Sequence, residues 1–169
     1  MVRRVISLSK VIILLIPILL LSACGEEYCE EGTSGMPLVG IYALQTPPVE
    51  AKIDSLTVYG VDQVNDSILY NNVSRINSFY TPLNISAEEV KYVLLYESRL
   101  IGEPYKRDTL TYKYHKKLTF ETPECGASYT FIIDEFKYTT HSIAYAELIT
   151  PEVNSIESQT VKIYYVAED

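Results

Sequence analysis

Apolar side chains recur at every second position in one segment after another, and this alternation restricts the fold more than any other feature. In residues 90–97, for example, Val90, Tyr92, Leu94 and Tyr96 share one face of a predicted strand, because successive side chains of a strand point to opposite sides. Similar runs lie at residues 38–44, 54–59, 67–71, 76–81, 108–115, 118–122, 127–138, 142–149 and 160–166. From these ten runs, some of them short, we expect about eight or nine strands, and this predicts an all-β protein, an antiparallel, immunoglobulin-like β-sandwich. A closed β-barrel is the alternative fold.

The second half of the chain contains the longest alternating stretch. We expect Lys116 and Lys117 to form a tight turn that joins a strand at 108–115 to a second strand at 118–122 as a hairpin. Residues 127–138 are predicted to form one long strand. Only residues 86–91 (SAEEVK) offer a helical alternative, and so short a helix is not stable alone.

The chain contains 15 tyrosines and no tryptophan. Six tyrosines fall on predicted inward strand faces: Tyr92, Tyr96, Tyr112, Tyr114, Tyr129 and Tyr165. Aromatic cross-strand pairs stabilise sheets, although tyrosine also lines carbohydrate and peptide grooves. Because the spacing of these tyrosines matches the pleat of a strand, we interpret them as core or half-exposed sheet residues.

Residues 1–23 are typical of a signal peptide, with a basic start followed by an uncharged apolar run that is too short for a spanning helix. Leu21-Ser22-Ala23-Cys24 resembles the lipobox of bacterial lipoproteins, in which diacylglycerol is attached to the cysteine thiol and the signal is cleaved before it. The sequence therefore predicts a lipid on Cys24, an acidic tether over residues 24–36 and one domain over residues 37–169. We therefore expect an outer-membrane lipoprotein whose domain faces either the periplasm or the cell surface.

Charge and cysteine content restrict the partners of the mature chain. Residues 1–23 contain three of the 14 basic residues and none of the 22 acidic ones, so the remainder carries a formal charge of −11. Such a surface disfavours nucleic acid as a partner. Two cysteines remain after Cys24, which in an oxidising compartment predicts one disulfide between Cys29 and Cys125. The alternative is a free or intermolecular thiol.

Several short motifs resemble those of a family of small Bacteroidota lipoproteins whose domain has no assigned function. They are Asp108-Thr109-Leu110-Thr111, Pro123-Glu124-Cys125-Gly126 leading to Tyr129-Thr130-Phe131, Thr140-His141, and Val161-Lys162-Ile163-Tyr164. The resemblance covers essentially the whole mature chain. It implies an all-β lipoprotein with a Cys29–Cys125 bridge, and it carries over no catalytic residue.

The motifs of common enzymes and cofactor sites are missing from the sequence. It has no G-x-S-x-G elbow, no phosphate-binding glycine loop and no EF-hand pattern. His115 and His141 are the only histidines, and a zinc site needs three or four ligands. We interpret them as a solvated and a turn histidine. The sequence thus predicts no catalytic residue, no metal, no cofactor and no enzyme.

Three Asp-Ser/Thr-aliphatic triplets resemble the acceptor motif for O-glycosylation of exported Bacteroidota proteins. Their hydroxyl residues are Ser55, Ser67 and Thr109. Boundaries between turns and strands produce the same order of residues, so both interpretations remain open.

Together these features predict a non-enzymatic binding or structural module that is attached to a membrane by its lipid anchor. Its partner would be an envelope protein or a glycan. A small-ligand carrier with a tyrosine-lined β cavity is the alternative function, and a hydrolase would need a cleft that joins a histidine to a serine or carboxylate.

Overall fold

The computed structural model describes residues 35–62, 67–96, 106–120, 126–154 and 158–166. Over these ranges the chain forms β-strands and no helix, and so none that could cross a membrane. The strands are β1 (Leu38–Ala43), β2 (Val49–Glu50), β3 (Leu56–Val61), β4 (Ile68–Val73), β5 (Ser78–Tyr80), β6 (Glu89–Tyr96), β7 (Lys106–Phe120), β8 (Ala127–Tyr138), β9 (Tyr145–Leu148), β10 (Glu152–Val153) and β11 (Gln159–Tyr165).

The described strands form two sheets. The larger sheet has the order β10-β8-β7-β6-β3-β4, and all its neighbours are antiparallel. The smaller sheet has the order β2-β1-β11-β9, with β5 also paired to β1. The β1–β11 pair is parallel, so the sandwich is not purely antiparallel. The number of strands exceeds the expected eight or nine because short strands such as β2 and β10 carry too few residues to show alternation.

The core lies between the two sheets. Val39 and Ile41 of β1 are fully buried and belong to one apolar cluster with Leu56, Leu94 and Leu110 of the larger sheet. Each of these side chains belongs to the alternating series of its own strand, because only one face of each sheet meets the other. The all-β sandwich prediction is therefore confirmed, and the described strands follow two separate sheet paths where a closed barrel would have one.

The predicted turn at Lys116 and Lys117 is wrong. Strand β7 continues through both lysines to Phe120, and Lys116 pairs with Phe131 while Lys117 pairs with Thr130 on β8. Two adjacent lysines are tolerated inside this strand because the pairing of β7 with β6 ends at Lys113. Both lysine side chains are therefore exposed to solvent.

A β-bulge in β8 changes which side chains face the core. The β7–β8 register shifts by one residue at Asp134, so core-facing positions are odd before it, at Phe131 and Ile133, and even after it. Phe136 accordingly turns inward, and its ring centroid lies 5.2 Å from that of Tyr112. Because of the bulge, β8 directs apolar side chains toward the core both before and after Asp134.

The predicted inward tyrosines are mostly core residues. Tyr92, Tyr112 and Tyr114 are buried, and Tyr96 and Tyr165 are half-buried. The sixth, Tyr129, is 37% exposed, because it lies on the part of β8 that extends past the opposing sheet.

Candidate functional site

The most highly coordinated polar group among the described residues is the carboxylate of Asp108, which is fully buried in β7. Its Oδ1 accepts hydrogen bonds from the Thr139 hydroxyl and the His141 N–H, both at 2.7 Å. Its Oδ2 accepts from the N–H groups of Ser142 at 2.8 Å and Ile143 at 3.0 Å. The carboxylate thus ties the loop before β9 to the central strand of the larger sheet.

These donors decide the charge of the group. Burial alone would raise the pKa of Asp108, but the hydrogen bonds from His141, Thr139, Ile143 and Ser142 together lower it below its usual value. A buried carboxylate that accepts several N–H and O–H donors is stabilised in its ionised form. Asp108 is therefore charged at neutral pH.

Two tyrosines complete the polar cluster around Asp108. The Tyr96 hydroxyl lies 3.3 Å from Asp108 Oδ2 and 2.7 Å from the Tyr165 hydroxyl. Burial is the main cause that raises the pKa of both tyrosines, so their hydroxyls stay protonated and remain hydrogen-bond donors. This chain of hydroxyls connects the two sheets through a satisfied polar network.

The two histidines each meet a carboxylate, but in different settings. His141 Nδ1 lies 3.4 Å from Asp108 Oδ1, with the side chain of His141 67% exposed. His115 Nδ1 lies 2.9 Å from Asp134, and both side chains are exposed. No cluster of three or more potential metal-ligating side chains exists among the described residues. Because the Asp108 carboxylate is already occupied by loop donors, we assign this centre to stabilising the fold.

A tyrosine ladder crosses the outer face of the smaller sheet. Tyr42 on β1, Tyr164 on β11 and Tyr145 on β9 are direct cross-strand partners. The Tyr164 ring centroid lies 5.6 Å from each of the other two. Val161 and Ile163 of the same strand point into the core, so the ladder lies on the side away from it.

Polar side chains border the tyrosine ladder. The Tyr42 hydroxyl donates to Gln159 Oε1 at 2.9 Å, and the Tyr164 hydroxyl donates to Glu147. Burial and the bond to Glu147 raise the pKa of Tyr164 to about 12. The Lys162 amine lies 5.1 Å from the Tyr42 ring centroid. Tyr164 is only 6% exposed between its neighbours, so the accessible aromatic surface of the ladder belongs to Tyr145, which is exposed, and to the half-buried Tyr42. Aromatic surface beside amide, carboxylate and amine groups can contact a ligand that has both apolar and hydroxyl surfaces.

A surface cavity of about 270 Å³ lies between the start of β4 and the segment before β6. Its described lining residues are Gly60, Ser67, Leu69, Pro82, Leu83, Asn84, Val90 and Tyr92. None of them has a carboxylate, imidazole, thiol or amine. Burial raises the pKa of Tyr92 to about 12, so the lining is neutral at physiological pH.

The residues singled out from the sequence fall in scattered places. Cys24, Cys29 and Cys125 lie outside the described residues, so the lipid and the disulfide stay predictions. The three candidate glycosylation sites differ in exposure, since Ser67 is exposed, Thr109 is half-buried and Ser55 is buried with a φ of 59°. The structure brings none of these hydroxyls together into one site.

Sequence reasoning missed both the Asp108 centre and the tyrosine ladder. The alternation gave one signal for the ladder, because Tyr164 stands between the inward positions Ile163 and Tyr165 and must face outward. Tyr42 and Tyr145 gave no such signal, because the alternation within one strand does not show that β1 and β9 both pair with β11.

Comparison with known proteins identifies a family but no characterised relative. No curated protein and no solved structure matches the chain. The model of the family of unknown function DUF6452 matches residues 55–165, which is more than half of the chain and spans β3 to β11. The chain therefore belongs to the DUF6452 family of unknown function.

Proposed function

We propose that this chain is a Bacteroidota envelope lipoprotein, cut before Cys24 and held on the outer membrane by lipid on that cysteine. Its β-sandwich acts as a non-enzymatic binding module. The lipobox and the signal peptide support the anchor. The Asp108 carboxylate supports a binding role over an enzymatic one. It is the most highly coordinated acid among the described residues, and its oxygens already accept hydrogen bonds from the loop before β9.

The tyrosine ladder is the observation that carries this proposal, and a glycan is the ligand that fits it best. Sugar rings offer apolar C–H faces to aromatic side chains, while their hydroxyls bond to groups such as Glu147, Gln159 and Lys162. Tyr145 is 46% exposed at the β9 end of the ladder, where a ring could rest on it. The ladder crosses three neighbouring strands, so its side chains could contact successive rings of an extended sugar chain.

The test is a binding screen followed by titration. The detergent-solubilised lipoprotein is screened against soluble polysaccharides and peptidoglycan fragments, and each hit is titrated by calorimetry. We expect Tyr145→Ala to weaken binding by about 1.4 kcal/mol, or roughly tenfold, since it removes one aromatic contact. Tyr129→Ala removes a tyrosine of similar exposure, 37%, on the other sheet and serves as the matched control.

Two results would count against the glycan. Hits that bind wild type and Tyr145→Ala equally would show that the ladder is not the contact surface. A screen without hits, combined with a crosslinked envelope protein on Tyr145, would replace the glycan by a protein partner.

The cavity beside Tyr92 favours a second candidate function, the small-ligand carrier. Its volume of about 270 Å³ lies just below the usual range for ligand sites and suits a small apolar molecule. Leu69 lines the cavity, so Leu69→Trp would place a larger side chain in it and should abolish binding of an apolar fluorescent probe such as anilinonaphthalene sulfonate. Equal probe binding by wild type and Leu69→Trp would remove this candidate.

The glycosylation motifs belong to the same proposal. Of the three hydroxyl residues, Ser67 is exposed and can carry a sugar without disturbing the sandwich. Mass spectrometry of the native protein should therefore place any O-glycan on Ser67 first, and an unmodified peptide mass would contradict this.

A further inference from the structure

Strands β7 and β8 extend past the rest of their sheet as a two-stranded arm. The pairing of β6 with β7 ends at Lys113, and the pairing of β10 with β8 covers only Phe131 and Ile132. Residues 116–120 of β7 and 127–131 of β8 go on pairing with each other to the end of both strands. We call these two segments the arm.

One face of the arm is apolar and exposed. Leu118 lies opposite Tyr129, and Phe120 lies opposite Ala127, on the same side as the buried Phe131. Lys116, the partner of Phe131, lies on this face at the end nearer the sandwich, where its amine is 5.6 Å from the Tyr129 ring centroid and donates to the Ile85 carbonyl. Phe120 is 78% exposed and Leu118 is 49% exposed. The core face of the larger sheet thus continues onto the arm, where no described strand of the smaller sheet covers it.

The other face of the arm is polar. Lys117, Thr119, Ser128 and Thr130 lie there, and the two threonine hydroxyls are 3.4 Å apart. The arm is therefore an amphipathic ribbon, with solvent-compatible side chains on one side and Leu118, Phe120 and Tyr129 on the other.

The described part of the chain begins at Gly35, next to this arm. A Cβ placed on Gly35 would lie 2.7 Å from the Phe131 ring, so Gly35 packs directly on the apolar face. Lys116 is the strand partner of Phe131. Phe120 lies four residues further along β7, a distance of about 14 Å along the strand. Eleven residue steps separate Cys24 from Gly35, so at about 3.3–3.6 Å per residue the two lie at most about 36–40 Å apart. Phe120 therefore lies within reach of the same membrane surface as Cys24.

We propose that the apolar face of the arm lies in the surface of the bilayer that holds the lipid on Cys24. This inference rests on the proposed lipoprotein anchor. Phe120 and Leu118 enter the boundary between headgroups and acyl chains, and Tyr129 presents its ring there with its hydroxyl toward water. Apolar contact drives the docking, since a chain with a formal charge of −11 after residue 23 gains little from anionic headgroups. A Cys29–Cys125 disulfide would bring the lipid still closer to the arm, because Cys125 directly precedes the Gly126 that leads into β8.

The test uses the absence of tryptophan from the chain. Phe120→Trp puts a single fluorescent reporter on the arm, and Ile68→Trp puts one at a similarly exposed apolar position (61%) on β4, the opposite edge strand of the same sheet. Each full-length chain, with its signal peptide, is expressed in a bacterial host that lipidates exported proteins, and is purified from the cells and reconstituted into phosphatidylcholine vesicles, with and without lipids brominated near the headgroup. We expect brominated lipid to cause a roughly twofold loss of emission for Phe120→Trp and little loss for Ile68→Trp, because interfacial apolar faces lie about 5–10 Å into the boundary region.

Flotation of the vesicles separates the possible failures. Protein that floats while neither tryptophan is quenched would keep the lipid anchor and overturn the docking. A blue-shifted Phe120→Trp emission that brominated lipid leaves unchanged would also overturn it, since the tether or a second protein would then cover the arm. Protein that does not float would refute the lipoprotein assignment and the docking with it.

Discussion

Replacing Asp108 by asparagine should destabilise the domain by about 2–4 kcal/mol. An amide has one acceptor oxygen, which can keep the bonds from Ser142 and Ile143. Its NH₂ group must then face the position of Oδ1, where the Thr139 hydroxyl can turn to accept but the His141 N–H cannot. An orphaned buried donor costs about 1–3 kcal/mol, and the bonds that remain lose their charge assistance.

The assay is urea denaturation of Asp108→Asn and wild type at pH 7, followed by circular dichroism. Asp134→Asn is the control, because it removes an exposed carboxylate beside His115 and a surface pair of this kind contributes about 0–1 kcal/mol. An Asp108→Asn protein as stable as the control variant would refute the assignment of this carboxylate to the fold.

The same carboxylate should make stability depend on pH. The pKa of Asp108 is lowered in the folded protein, so its contribution is fully present above the unfolded value of about 3.9 and is lost as pH falls through the folded pKa. Wild type should therefore lose stability in acid more steeply than Asp108→Asn. Parallel pH profiles of the two proteins below pH 4 would contradict this.

Two further predictions concern packing. Tyr112→Phe should cost about 1 kcal/mol in urea denaturation, since it removes the fully buried hydroxyl that lies 3.1 Å from the Thr81 hydroxyl; no measurable loss would show that this bond contributes nothing. Gly35→Ala should lower the melting temperature more than Gly126→Ala. Both residues have positive φ, but a Cβ at Gly35 meets the Phe131 ring whereas a Cβ at Gly126 meets nothing within 4 Å. Equal melting temperatures would show that the ring moves aside freely.

Alternation predicted the sandwich because it records which face of each strand is buried. The predicted strand over residues 127–138 coincides with β8, and the inward positions of β6 are buried from Val90 to Leu94. Strand pairing was not predictable in this way, because the parallel contact of β1 with β11 joins residues over 100 positions apart. The pattern of one strand carries no information about its neighbour.

The sites were less predictable than the fold for the same reason. Asp108 stood in the sequence as part of a glycosylation triplet, and its burial depends on the loop at residues 139–143 that folds back over β7. Lys116 and Lys117 were predicted to form the tight turn of a hairpin between the runs at residues 108–115 and 118–122, and the pattern of the two runs did not show that they form one strand. In the folded chain these lysines instead lie in the arm, where β7 and β8 pair with each other beyond the rest of their sheet.

Intact-mass measurement of the protein isolated from its native membranes tests the central claim of a lipid-anchored envelope module most directly. We expect a chain that begins at Cys24, carries diacylglycerol and an acyl group on that residue, and is lighter by two hydrogens because Cys29 and Cys125 are joined. A mass that retains residues 1–23, or an unmodified Cys24, would contradict the account.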